Sequence, residues 1–130
     1  MSDKSGKAAK RFSWGLQVLA AAVFLVAGGA KLAGVPMMVA TFDGIGVGQW
    51  FRYVTGAIEV GAGICLLVPG FAAFGTLLLI PTMICAALAH VCVIGGSPVP
   101  AMVLLAVNVA ILGLRSDQID GALNGMSGGR

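Results

Sequence analysis

Three ionisable side chains, Lys31, Glu59 and His90, fall inside long apolar runs of this 130-residue chain. An amine, a carboxylate and an imidazole can pair, share a proton or pass one on. Ionisable groups are costly within a membrane span and turn toward a bundle interior or toward each other. Glu59 lies about eight residues into its run, roughly 12 Å below that end by helical rise. Its helical face carries Arg52, Thr55, Gly56, Ala62 and Gly63, small and polar neighbours that let another helix come close. The carboxylate there either pairs with a cation or stays protonated. Lys31 shares a face with Gln17, Phe24, Ala27 and Gly28. Its stem either snorkels outward or reaches to Glu59, which would offset both desolvation costs.

His90 lies one turn from the end of its run, on a face with Met83, Ala86 and Ala87. Its depth resembles that of Lys31, so the three groups are expected to converge on one layer. As a plain packing residue it would satisfy one inter-helix hydrogen bond. As a functional one it would relay a proton or bond a quinone carbonyl. Asn108, mid-run, fits a helix–helix hydrogen bond and is a secondary binding candidate. Catalytic candidates are thus Glu59, His90 and Lys31, and binding candidates are Lys31, Glu59, His90 and Asn108. The single histidine and the cysteines Cys65, Cys85 and Cys92, with no CxxC, give no metal site. The thiols read as small apolar packing residues.

The elements that must position these groups are set by composition. Charged residues make up 10% and hydrophobic ones 58%, whereas a soluble domain carries about 25% charged residues. So few charges cannot coat a water-exposed surface, and lipid is the expected solvent. The net charge of +3 is no nucleic-acid footprint. Lys4, Lys7, Lys10 and Arg11 all precede the first apolar run, as in a membrane-flanking cluster, and no aromatic-basic interleaving accompanies them.

Apolar runs predict an all-α, polytopic four-helix transmembrane bundle over 14–115, with spans at about 14–34, 51–68, 72–94 and 99–114. Residues 1–13 read as a basic, mobile cytoplasmic tail, and 116–130 as a flexible glycine-rich tail. Between the first two spans, Met37 to Phe42 is expected to form a short interfacial turn of helix. Trp50, Phe51 and Tyr53 belong at headgroup depth. Pro69-Gly70 makes the second and third spans antiparallel neighbours, and Pro81 predicts a kink. Glycines 28, 29, 56, 61, 63 and 75 permit tight packing. An even number of spans puts both termini on one side, cytoplasmic by the basic N-terminal cluster and Arg115, in an inner membrane. A rival parsing takes Lys4 to Ala30 as a cleavable signal peptide, although its apolar run is long for that.

Gly28-Gly29-Ala30-Lys31-Leu32 resembles the signature that ends the first helix of the DoxX and DoxX-like membrane proteins. Phe42-Asp43-Gly44-Ile45-Gly46, the segment Thr55 to Gly63 ending in Leu66-Leu67-Val68-Pro69, and Met83 to His90 are similar to that family's next motifs, in order. The resemblance spans roughly Leu16 to Leu114. It implies a four-helix membrane bundle with Lys31, Glu59 and His90 at the family's polar positions, and association with quinone-linked membrane redox complexes. Fold alone does not fix function, and three readings stay open. The first is an accessory or quinone-facing subunit of a redox system, without independent enzymatic activity, partnered by the bilayer and another membrane subunit. The second is a structural or assembly protein whose buried polar groups fix helix packing. The third is a small proton-coupled transporter, although exporters of that size keep their glutamate in the first helix. Quinone is the one candidate cofactor, and a homo-oligomer is compatible with all three.

Overall fold

The computed structural model describes residues 2–128, with side chains described over 6–125. Its elements are α1 (Ser2–Ala33), α2 (Pro36–Ile45), α3 (Trp50–Leu67), α4 (Ala72–Ala89), a π-helical turn (His90–Ile94), α5 (Val99–Leu114) and α6 (Ser116–Gly128). No strand occurs among the described residues. α1 packs on α3, α3 on α4, α4 on α5, and α5 returns to α1, closing a ring of four helices. Phe24, Ala62, Leu66, Leu79, Met83 and Ile111 fill its centre. Large apolar side chains also cover the outside, among them Leu19, Val26, Ile64, Leu78, Leu88 and Val109. A water-soluble bundle would turn that surface inward or make it polar. Here the outer solvent is lipid.

α1, α3 and α4 with its π-helical turn are each long and apolar enough to cross a membrane. α5 meets that test only together with α6, from which it is bent by 50°. The bundle thus supplies three spans, or four with the bent pair. α4 runs through Pro81 as one helix. Between the first two spans, α2 starts on Pro36 and ends where Gly46, at φ 85°, closes the last turn with its N–H on Phe42 O.

Two expectations are corrected. The basic segment before Trp14, read as mobile, is the first part of α1. Lys7-Ala8-Ala9-Lys10-Arg11 consists of strong helix formers, and an adjoining helix removes the cost of nucleation. Of the stretch after Arg115 read as flexible, 116–128 form α6, and 129–130 lie outside the described residues. Gln118 ties it down, its side-chain oxygen accepting from the backbone N–H of Ala73 at the start of α4 (3.0 Å). That contact satisfies an orphan donor that α4 cannot satisfy itself.

α1 and α3 approach closely, glycine against glycine. A Cβ on Gly28 would stand 2.9 Å from Gly56 O, and one on Gly56 would stand 3.0 Å from Gly28 O. Each glycine leaves room for the other's backbone, as small residues do at membrane helix interfaces. Gly63 and Gly75 also face close neighbours, whereas Gly29 and Gly61 face open space. This crossing sets the register of everything around Lys31 and Glu59.

Candidate functional site

Three residues beyond Gly28 and three beyond Gly56 along their helices, Lys31 and Glu59 meet. Lys31 Nζ donates to Glu59 Oε2 at 3.0 Å, and the two side chains are 12% and 4% exposed. The glycine crossing brings the stem of Lys31 against α3, so the amine reaches the carboxylate instead of the surface. Arg52, one turn before Gly56, is buried as well. It donates from Nη1 to the Lys31 carbonyl and from Nε to Gln49 Oε1 (2.7 Å). Gln49 in turn donates to Asp43 (2.8 Å) and to Val39 O (3.0 Å). Two cations and two carboxylates are thereby linked into one network that also binds the end of α1 to α2 and α3.

His90 does not join this layer. Its Nδ1 stands 2.9 Å from Gly95 O, and it lines an open groove of about 560 Å³ with Met37, Ala40, Thr41, Gly44 and Ile94. The expectation of convergence rested on depth alone and left out α2, which the groove sets beside His90. The helix keeps α geometry as far as His90, its N–H on Ala86 O, and widens into the π turn only beyond it, where α2 packs against the turn. Gly95 and Gly96, both with φ above 70°, fold the chain back so that the Gly95 carbonyl reaches the ring. A carbonyl only accepts, so in the neutral imidazole Nδ1 carries the proton and Nε2 is left as the acceptor. Among the described residues Nε2 has no hydrogen-bond partner. Thr41 lies in the same groove, its hydroxyl donating to Met37 O (2.8 Å) and keeping its lone pairs free to accept. Single-turn π elements of this kind recur at functional sites.

Asn108 is fully buried but bridges no helices. Its Nδ2 donates to Leu104 O of its own helix at 2.8 Å, and its Oδ1 has no partner. A second polar layer lies about 21 Å along α1 from Lys31, fourteen residues at 1.5 Å each. There Arg115 donates from Nε to Gln17 Oε1 (2.8 Å) and Ser13 Oγ (2.9 Å), with its guanidinium 5.6 Å from the Trp14 ring. Ser13 also donates to Gln17, and Gln17 donates to Leu66 O, both at 2.8 Å. In the sequence Arg115 stood out only as a charge that sets topology and Gln17 only as a neighbour of Lys31 on one helical face. A buried glutamine in the first span and an arginine just after the last were the available signal for a pair.

Helices sheathed in apolar side chains, with their ionisable groups turned inward, define a small polytopic membrane protein. The chain matches the model of the DoxX-like family over residues 15–113, and it belongs to that family. The match takes in Lys31, Glu59 and His90, and leaves Ser13, Arg115 and α6 outside. No curated protein and no solved structure matches the chain. Among the described residues no group of three His, Cys, Asp or Glu side chains is arranged to hold a metal ion.

Proposed function

We propose that the chain is a quinol- and quinone-facing accessory subunit of a membrane redox system, and that its ligand site is the His90 groove. The observation that carries this reading is the bond between His90 Nδ1 and Gly95 O in a groove of mixed polar and apolar lining. It leaves Nε2 as an acceptor in the groove that Thr41 also lines, which suits a quinol O–H; a protonated ring would instead donate to a quinone carbonyl. The isoprenoid tail would continue into lipid between α1 and α2, where Ala22, Val26, Ala30 and Met38 line an apolar furrow. Electrons would pass to or from a partner subunit. Both termini would face the cytoplasm of an inner membrane, and the groove would face outward.

The test is reconstitution with decyl-ubiquinol and decyl-ubiquinone, reading the ligand-dependent rise in unfolding temperature. H90A and T41V should each remove most of the rise, whereas E59Q should keep it relative to its own ligand-free baseline. No rise with wild-type protein, or an undiminished rise with H90A, would end this reading. A structural role is favoured for Lys31 and Glu59 themselves, because they bond each other, are buried, and line neither the His90 groove nor the furrow between α1 and α2.

A further inference from the structure

The layer around Arg115 is not balanced as the Lys31 layer is. Among the described residues no carboxylate lies within 4 Å of Arg115, and its Nη2 is buried without an acceptor. Asp117 and Asp120 on α6 are nearby in sequence but exposed. Because α1 is helical throughout, its basic residues occupy defined positions. Lys7, Lys10, Arg11 and Trp14 recur at intervals of three and four and therefore share one face. Trp14 lies under the Arg115 guanidinium, so this cationic stripe runs up to Arg115. Lys10 stands twenty-one residues from Lys31, about 31 Å along the axis, which matches the ~30 Å hydrocarbon core. Phe12, 62% exposed, lies among the same turns, as an aromatic anchor at headgroup depth would.

We infer that this face binds the phosphate of an anionic phospholipid headgroup, with Lys7, Lys10, Arg11 and Arg115 as its cations and Phe12 resting in the acyl boundary. The site lies mostly outside the family match and is separate from the His90 groove, so it stands whether or not the groove binds quinol. Charge complementarity selects the ligand: none of the four cations is in an ion pair among the described side chains, they outnumber Asp3, the one acidic residue at helical spacing before Lys7, and each basic residue near an anionic leaflet strengthens attachment by roughly fivefold.

The full chain in neutral detergent is titrated with phosphatidylglycerol or phosphatidylcholine, and retained lipid is counted by native mass spectrometry. Phosphatidylglycerol should be retained about tenfold better or more. The triple variant K7Q/K10Q/R11Q changes only exposed side chains and should lose most of that preference at unchanged helicity. R115K should keep the preference and R115Q should reduce it. Equal retention of the two lipids, or full retention by the triple variant, would overturn the inference. Displacement of the lipid by millimolar inorganic phosphate would also overturn it, since the site would then read a free anion.

Discussion

The two polar ends of the bundle solve one problem in opposite ways. At the Lys31 end, each buried charge has a partner of the other sign: Glu59 directly for Lys31, and Asp43 through Gln49 for Arg52. At the Arg115 end, one cation rests on neutral acceptors, Ser13 and Gln17, which also bond each other. The difference lies in what is left behind when one member is removed. Deleting Lys31 strands a carboxylate in a dry place. Deleting Arg115 strands nothing, because Ser13 and Gln17 still satisfy one another and Leu66 O. The first end is a closed device that holds helices together, and the second is open toward something outside the chain.

The largest expected effect breaks the closed end. Lys31→Met should cost about 3 kcal/mol or more, since an unpaired buried charge is far worse than no charge. Adding Glu59→Leu should recover most of the loss, read by reversible unfolding in mixed micelles; a double variant as unstable as the single one would refute the pairing. Gly28→Val should follow, at about 1–3 kcal/mol, because its side chain would meet the α3 backbone and no flexible group can yield there. It should also weaken the Lys31–Glu59 pair, visible as reduced crosslinking between cysteines placed on α1 and α3. Arg115→Met sharpens the contrast: its loss should stay below that of Lys31→Met, at about 1.5–3 kcal/mol, the value of hydrogen bonds from a charged donor to neutral acceptors. The smallest effect belongs to Asn108→Leu. Removing a buried amide whose oxygen is unpartnered should leave stability unchanged or slightly raised in the same assay.

Apolar run length disclosed the spans, and the glycines at 28 and 56 disclosed the α1–α3 approach, because both signals are local and repeat with the helix. The Lys31–Glu59 pair followed from them by depth and face. His90 did not follow, since its surroundings, α2 and the carbonyl of Gly95, come from segments whose packing no local residue type announces. α2 was legible as a short helix but not as the far wall of a groove, because its packing partner lies some fifty residues onward. Ser13, Gln17 and Arg115 meet across nearly the whole chain, and only the ring of α1, α3, α4 and α5 brings them together. The terminal segments were misread for another reason: polarity suggested disorder where helix propensity and a docking contact from Gln118 prevail.

α1 carries both layers on one unbroken rod, with Gln17 and Lys31 fourteen residues apart and only about 40° from facing the same way. A rod pinned at one point can swivel and tilt; a rod pinned at two points on one side has lost both freedoms. Release of either fastening would therefore turn the remaining one into a pivot. A disturbance at the Arg115 end would then reach the opposite surface as a sideways swing of Lys31, with no helix needing to unfold.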